Sequence, residues 1–246
     1  MPGHQWREYT NCRKGNISVV TCLQQMEEKC NSASHRVVKS VRLTLDILEH
    51  FLENYKTLKV IHLIRDPRAI MNSRITTKWF GLNETTSGSR RRGRMNAKAL
   101  CTRLKDDLIA GVKLKQKYPD RFAFVLFEDL LDDLKTNAVI LYSYFNIKGD
   151  NLEGIVKTLM NEESDTEHSI RRLYHSYTDW WRFNRNLRIT KITEDVCKNV
   201  MKLLGYESYE TIERRLNFSF QRFDFNPKLL VRHILKNDQY ESIFDF

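Results

Sequence analysis

The sequence predicts an α/β protein in which a parallel β-sheet is flanked by helices. Residues 60–64 and 122–127 are short apolar runs rich in β-branched and aromatic side chains, a composition typical of buried strands. The segments between and after these runs carry apolar residues at helical spacing. Strands that alternate with helices form right-handed βαβ units, so the sheet they build is parallel.

Other elements follow from the same two periods. Residues 37–41, VVKSV, are predicted to form a strand. Residues 43–55 have the apolar spacing of an amphipathic helix. Further helices are predicted at 68–75, 97–118, 134–145, 152–160 and 191–204. Gly205 follows the last of these helices and is predicted to be its C-terminal cap.

Four segments lack a convincing period. Residues 1–36 are polar and predicted to be irregular, and residues 207–246 form an aromatic-rich C-terminal tail. Polar loops are predicted at 76–96 and 161–179, and the first contains a basic cluster that is interpreted as a solvated loop able to meet an anionic glycan. The cluster consists of Arg90, Arg91, Arg92 and Arg94. The chain shows no internal repeat and no linker, so residues 1–246 are predicted to form a single domain.

The charge balance predicts a polyanionic partner. The 246 residues include 41 Lys and Arg against 31 Asp and Glu, which gives a net charge of +10. Nucleic acid, an anionic membrane, or an acidic polysaccharide together with a phosphorylated cofactor would each suit this charge. A hydrophobic content of 41% indicates an ordinary globular protein and excludes a disordered chain.

The five cysteines predict no metal site, because no histidine gives them the spacing of zinc ligands. Cys22 and Cys30 lie in a polar region where a disulfide could close a small loop. The odd count leaves at least one thiol free. In a cytosolic protein all five would be reduced, and this alternative stays open.

The sequence contains no targeting segment. No apolar run approaches the roughly 18 residues that span a bilayer, and residues 1–10 have no signal-peptide core. Asn16, Asn83 and Asn217 stand in glycosylation acceptor patterns, which favour a secretory context.

The segment 59–74, KVIHLIRDPRAIMNSR, predicts an anion-binding site. Arg65 stands at the end of the predicted strand, and Asp66 and Pro67 have the form of a helix start. A strand that runs directly into a helix leaves backbone N–H groups and the positive end of the helix dipole at one place. With Arg65, Arg68 and the Ser73 hydroxyl nearby, this place suits a multiply charged oxyanion such as phosphate.

Ionic residues also follow the other predicted strands. Arg42 follows the strand 37–41, Lys39 lies within it, and Glu128 follows the strand 122–127. In parallel sheets ligands bind beyond the carboxyl ends of the strands, so these side chains are candidates for the edge of a site. His62 lies inside a strand and is interpreted as a hydrogen-bonded core histidine.

The segment 59–74 resembles the 3′-phosphate-binding segment of sulfotransferases, and in particular that of the carbohydrate 6-O-sulfotransferases. Further stretches resemble this family in the right order over about residues 22–206: VVKSVRL at 37–43, CTRLKDDL at 101–108, FVLFEDL at 124–130, and Trp181-Arg182 through Tyr206. The resemblance implies a P-loop-like sulfotransferase fold. It also implies that Arg65 and Ser73 bind the 3′-phosphate of 3′-phosphoadenosine 5′-phosphosulfate (PAPS), the sulfuryl donor, with Arg182 as a further ligand of the nucleotide.

The resemblance further implies transfer of a sulfuryl group to a hydroxyl of a glycan or glycosaminoglycan, in the 6-O position of galactose or an N-acetylhexosamine. It implies no metal and no nucleic acid. The expected location is the Golgi lumen, with the complete protein anchored as a type II membrane protein. The residues do not indicate which group is the catalytic base.

Two departures from the family pattern lead to further expectations. Phe127 stands where the family commonly has tyrosine. Residues 1–36 contain nothing similar to the first strand and 5′-phosphosulfate loop of the family. We therefore expect that the chain is N-terminally truncated or has lost this loop. In either case we expect the chain to be unstable and not to transfer sulfate by itself.

The sequence is also compatible with two other functions. One is a catalytically inactive relative that binds nucleotide or anionic glycan without transfer. The other is a basic nucleic-acid-binding protein, although no recognised nucleic-acid module is present and aromatic residues do not interleave with the basic cluster.

Overall fold

The computed structural model describes residues 4–76, 89–149, 151–161, 182 and 187–209. The helices are α1 (His4–Lys14), α2 (Val19–Ser32), a 3₁₀ turn (Leu45–Ile47), α3 (Leu48–Asn54), α4 (Pro67–Thr76), α5 (Ser89–Lys117), α6 (Phe127–Asp132), α7 (Leu134–Tyr144), α8 (Leu152–Asn161) and α9 (Leu187–Leu203). The strands are β1 (Val60–Ile64) and β2 (Phe122–Leu126). Of the described residues, 4–42 belong to one compact unit and those from Leu43 onward belong to a second.

The first unit corrects the prediction that residues 1–36 are irregular. Helices α1 and α2 occupy most of residues 4–32, and a disulfide joins Cys12 to Cys22. Ser18 caps α2, because its hydroxyl accepts the N–H of Thr21 at 3.1 Å. The helices were missed because their apolar residues form no buried stripe: Val20 is 64% exposed. A covalent link and a cap hold this hairpin where hydrophobic burial contributes little.

The predicted pairing of Cys22 with Cys30 is wrong. Cys22 pairs with Cys12, a second disulfide joins Cys101 to Cys197, and Cys30 is the free thiol. The distant pair could not be found from spacing, because it depends on how α5 and α9 pack.

The predicted strand at 37–41 is also wrong. This segment has no regular structure, and Val37 and Val38 are 84% and 90% exposed. A strand needs a neighbour for its backbone hydrogen bonds, and within the described residues the sheet consists of β1 and β2 alone.

The second unit confirms a parallel βαβ arrangement. Strands β1 and β2 pair in parallel, with Val60 opposite Phe122 and Ile64 opposite Leu126. Strand β2 ends one residue earlier than predicted, and Phe127 begins α6 instead. Burial of the sheet on both faces was predicted but is incomplete, since Leu63 is 50% exposed.

Helices α5 and α9 form the main core against the sheet. The largest buried cluster joins the ends of the two strands to both helices; its members include Ile64, Leu126, Cys101, Leu108, Cys197 and Met201. Helix α5 begins at Ser89, so the basic cluster at 90–94 is helical and not a loop as predicted. The predicted cap of α9 is confirmed: Gly205 has φ 76°, and the N–H of Tyr206 bonds to the carbonyl of Met201 at 2.8 Å.

Several predictions fall outside the described residues. These are the loop at 161–179 beyond residue 161, the loop residues 77–88 with Asn83, Trp181, and the tail from residue 210 with Asn217. None of the helices that the structure describes is long and apolar enough to cross a bilayer.

Candidate functional site

The turn between β1 and α4 has the helix start that the sequence predicts. Asp66 caps α4, since its Oδ1 accepts the backbone N–H of Arg68 at 2.8 Å, and Pro67 is the first helical residue. The N–H of Asp66 donates in turn to Glu128 Oε1 at 3.0 Å. These two N–H groups are therefore satisfied inside the protein, and Pro67 has none. The prediction that backbone N–H groups are free to bind an anion is therefore wrong for Asp66 and Arg68, and a phosphate at this turn would depend on side chains.

Arg65 lies at the carboxyl end of β1 on an aromatic platform. Its guanidinium carbon is 4.6 Å from the centroid of the Phe127 ring, at the start of α6. The side chain is partly buried, and burial lowers the pKa of Arg65, while the carboxylates of Glu128 and Asp66 act in the opposite direction. A guanidinium keeps its charge under such a shift. Strand β1 and the ring of Phe127 thus hold a cation beside the first turn of α4.

Arg68 is an internal ion pair and not a surface cation. It is 1% exposed and binds Asp66 through Nη2 at 2.8 Å and Glu194 of α9 through Nη1 at 2.6 Å. Nη1 also donates to the carbonyl of Glu207 at 2.7 Å. Burial would lower the pKa of Arg68, but the neighbouring carboxylates outweigh it and raise that pKa. The suggestion that Arg68 approaches the phosphate is wrong, because its guanidinium N–H groups bind Asp66, Glu194 and the carbonyl of Glu207. These bonds join α4 to α9 and to the residues after it.

Arg182 reaches the same region through Tyr209. The guanidinium carbon of Arg182 lies 5.2 Å from the centroid of the Tyr209 ring, and that of Arg68 lies 4.5 Å from it. Tyr209 is buried against Ala69 in the first turn of α4, and its N–H donates to Glu194 Oε1 at 2.9 Å. Arg182 follows Arg65 by 117 residues in the sequence (182 − 65). The structure nevertheless brings Arg182 close to the start of α4 through Tyr209.

Ser73 lies farther along α4. It is exposed, six residues after Pro67, which corresponds to about 9 Å along the helix axis. Arg65 and Ser73 thus belong to one strand–helix unit but stand at different levels of it. Their joint contact with one phosphate stays a prediction.

Glu128 connects three elements and is unsuited to be the catalytic base. Its Oε1 accepts the N–H of Asp66, and its Oε2 accepts the hydroxyl of Tyr206 at 2.8 Å. Burial, together with the charge of Asp66, raises the pKa of Glu128. Burial and the same two carboxylates raise the pKa of Tyr206. Both carboxylate oxygens are engaged, so Glu128 holds the turn in place.

His62 lies in β1 with its ring centroid 5.9 Å from that of Phe124. Burial and the charge of Arg103 lower the pKa of His62 to about 4. The ring is therefore neutral at pH 7. The side chain is half-buried, and within the described residues its Nδ1 makes no hydrogen bond, so the predicted hydrogen-bonded core histidine is not confirmed at this atom.

Lys39 and Arg42 do not end a strand. Both are exposed in the irregular segment that replaces the predicted strand, and they belong to the first unit. The structure gives no support for them as part of the sheet edge.

Sequence reasoning missed Glu194, Tyr206 and Tyr209. Glu194 stands in an amphipathic helix where an acidic residue usually faces solvent, and Tyr209 lies in the C-terminal tail, which shows no motif. Tyr206 contacts Glu128, 78 positions away in the sequence, and Glu194 contacts Arg68, 126 positions away. A separate cavity of about 640 Å³ is lined by Thr44, Asp46 and residues of α5 between Met95 and Asp107. Arg65, Ser73 and Arg182 do not line it.

Comparisons with known proteins show which family the chain matches. The sulfotransferase domain family matches residues 5–171. Carbohydrate sulfotransferase 3 of Tetronarce californica is 24% identical over 214 residues, which cover 80% of this chain and 46% of the relative. Carbohydrate sulfotransferase 1 of Danio rerio is 25% identical over 223 residues, which cover 85% of this chain and 51% of the relative.

A mammalian relative, carbohydrate sulfotransferase 3 of Mus musculus, is 26% identical over 196 residues, covering 73% of this chain and 41% of the relative. The chain thus spans about half the length of the curated relatives it matches. No solved structure matches the chain at a significant level. Because the family match extends over more than half of the sequence, the chain belongs to the sulfotransferase domain family, as the segment around Arg65 predicts.

Proposed function

We propose that this chain is part of an enzyme that transfers a sulfuryl group from PAPS to a glycan hydroxyl, with the 3′-phosphate of the donor bound by Arg65, Ser73 and Arg182. The observation that supports it best is the position of Arg65, which β1 and the Phe127 ring hold at the carboxyl edge of the parallel sheet. Ligands of open α/β sheets bind at this edge.

The donor set suits a phosphate. Two guanidiniums lie near the start of α4: that of Arg65 on the ring of Phe127, and that of Arg182 on the ring of Tyr209, which packs against Ala69. Guanidinium groups bind phosphate oxygens through two parallel N–H bonds. Ser73 would add one hydroxyl. The chain's own contribution is then to position the donor, which is worth several kcal/mol in a transfer between two bound reactants.

PAPS supplies the sulfuryl group, and positive charge near the leaving phosphate favours transfer. Arg68 does not contribute this charge directly, because Asp66 and Glu194 engage it. Its role is to hold α4 against α9, which fixes the turn that carries Arg65.

The proposed acceptor is a hydroxyl at the 6-O position of galactose or an N-acetylhexosamine, and the proposed location is the Golgi lumen, with the complete protein anchored in the membrane. Carbohydrate sulfotransferases among the relatives support a glycan acceptor. The disulfides Cys12–Cys22 and Cys101–Cys197 support an oxidising compartment.

Calorimetric titration of the chain with adenosine 3′,5′-bisphosphate and with adenosine 5′-monophosphate tests the nucleotide site. We expect clearly tighter binding of the bisphosphate, and equal affinities would contradict a 3′-phosphate site. A second assay follows labelled sulfate from PAPS to oligosaccharides that end in galactose or an N-acetylhexosamine. Nucleotide binding without transfer, even by a chain extended to the length of its relatives, would indicate an inactive relative.

A further inference from the structure

A row of exposed cations follows the paired helices α5 and α9. Each helix contributes four of them, and we call the eight together the basic seam. They are Arg90, Arg91, Arg94 and Lys98 on α5, and Arg188, Lys191, Lys198 and Lys202 on α9. The row spans about 21 Å on α9 alone, from Arg188 to Lys202.

The two helices run in parallel, which brings distant parts of the sequence together. A Cβ atom added to Gly93 would lie 2.7 Å from Ile189 Cδ1, so the helix backbones approach closely there. Two turns farther on, a disulfide joins Cys101 to Cys197. Both contacts join residues 96 positions apart (189 − 93 and 197 − 101), as a parallel pair in fixed register requires.

The exposed faces of the two helices meet at one ion pair. Arg94 Nη1 lies 2.7 Å from Asp195 Oδ2, and both side chains are more than half exposed. Positions three, four and seven residues from Asp195 share its face of α9. Those positions hold Lys191, Lys198, Arg188 and Lys202. The same periodicity places Arg90 and Lys98 on the face of Arg94.

The seam carries one sign of charge at a cost to helix stability. Like charges four residues apart, such as Arg94 and Lys98 or Lys198 and Lys202, repel each other. The first turns of α5 and α9 contain no acidic residue, although the helix dipole favours one there. Solvated helix faces ordinarily mix both signs. Asp195 interrupts the seam on α9, and on α5 the exposed Asp106 follows the cations of the seam, at the level of Lys202.

We propose that the basic seam binds a linear anionic glycan through sulfate or carboxylate groups along its length. The disulfide between α5 and α9 fixes the spacing of the cations before binding. The choice of a glycan among polyanions rests on the proposed function. It is consistent with the exposed neighbours of the seam on α5, which offer no aromatic ring for stacking of bases; they are Arg92, Met95, Ala99 and Thr102.

The test compares binding of dextran sulfate to the 246-residue chain and to a variant with Arg90→Ala, Arg91→Ala, Arg188→Ala and Lys191→Ala. Uncharged dextran of the same length is the ligand control. Alanine is the best helix former, so the variant should keep its helices, which circular dichroism checks. At fixed ionic strength we expect its affinity for dextran sulfate to fall at least about tenfold.

A matched variant removes the same charge elsewhere. Lys14→Ala, Lys39→Ala, Lys56→Ala and Lys148→Ala replace four exposed lysines outside the seam, so each variant falls from +10 to +6 (10 − 4). We expect this control to lose less than about threefold. As a second probe that does not depend on the multiple variant, Asp195→Asn removes the carboxylate of the seam and should tighten binding.

Three results would overturn the proposal. The first is an equal loss of affinity for dextran sulfate in the two fourfold variants, and the second is weaker or unchanged binding of dextran sulfate by Asp195→Asn. The third is tighter binding of an oligothymidylate than of dextran sulfate of equal charge. The last result would identify the seam as a nucleic-acid surface. Titration with adenosine 3′,5′-bisphosphate keeps the two proposals separate. Loss of the seam should leave nucleotide affinity unchanged, and failure of the nucleotide to bind would affect the proposed function without changing the dextran sulfate result.

Discussion

Arg65 and Arg68 are three residues apart and have different surroundings. The guanidinium of Arg65 lies on the ring of Phe127, with the charges of Glu128 and Asp66 nearby, whereas Arg68 is enclosed by Asp66, Glu194 and the carbonyl of Glu207. The first arrangement holds a cation at the carboxyl edge of the sheet. The second uses a cation to hold the elements that form this edge.

The surroundings of Arg68 predict a large loss of stability in Arg68→Gln. The substitution leaves Asp66 and Glu194 buried without their cation, which should cost about 3–5 kcal/mol in the free energy of unfolding. Denaturant titration measures this value. Arg92→Gln, on the exposed face of α5, is the control and should change stability by no more than about 0.5 kcal/mol. A loss below about 1 kcal/mol in Arg68→Gln would show that the buried pair is not as the structure describes it.

His62 predicts a loss of stability in mild acid. Its pKa in the folded protein, about 4, lies below the ordinary value of 6.5, so the unfolded chain binds the proton first as the pH falls. Stability should therefore decline between about pH 6.5 and pH 4, by up to about 3 kcal/mol from this group. His62→Gln removes the titrating imidazole. The free energy of unfolding of this variant should therefore vary less between pH 6.5 and pH 4 than that of the wild type. Parallel curves for the two proteins would contradict the burial of a neutral histidine.

At the scale of elements, local signals were sufficient for the β1–α4 unit. A β-branched run, an acidic cap and a proline at the first helical position specify strand and helix without help from the rest of the chain, and the structure follows them closely. The segment 37–41 has a similar composition but forms no strand. Its composition permits a strand, but only a partner strand can satisfy its backbone hydrogen bonds, and composition does not reveal the partner.

The site shows the same division. Arg65 could be predicted because it belongs to a local motif, and the position of Arg182 near α4 could not, because it depends on Tyr209 and Glu194. The sequence also does not distinguish Arg68, which forms buried ion pairs, from Arg65, which lies on the ring of Phe127. That difference arises from α9, which packs on α4 only in the folded chain.

The disulfide between α5 and α9 predicts a testable dependence on covalent linkage. Replacing both Cys101 and Cys197 by alanine removes a cross-link of sequence separation 96 and should lower the free energy of unfolding by about 2–5 kcal/mol. Cys30→Ala, which alters the free thiol, is the matched control and should leave stability nearly unchanged. Thermal unfolding of the wild type and the two variants without reductant gives the comparison. A double variant as stable as the wild type would contradict a disulfide between the two cysteines.

At the scale of the molecule, the second unit gathers its candidate ligands at one edge. The carboxyl ends of β1 and β2, the first turn of α4 and the residues after α9 meet around Asp66, Glu128 and Tyr206. Internal hydrogen bonds occupy the carboxylates at this edge, while Arg65 and Arg182 lie on rings. This arrangement supports the proposal that Arg65 and Arg182 bind a phosphate, because such a site needs cations held in place by their surroundings.

The most direct test is the contribution of Arg65 to recognition of the 3′-phosphate, measured by calorimetry with adenosine 3′,5′-bisphosphate and adenosine 5′-monophosphate. We predict that Arg65→Ala loses about 1.5–3 kcal/mol of affinity for the bisphosphate and much less for the monophosphate, with Ser73→Ala losing less than Arg65→Ala. Arg92→Ala should bind both nucleotides as the wild type does. A folded Arg65→Ala protein that still distinguishes the two nucleotides as well as the wild type would contradict the assignment of the β1–α4 turn as the 3′-phosphate site.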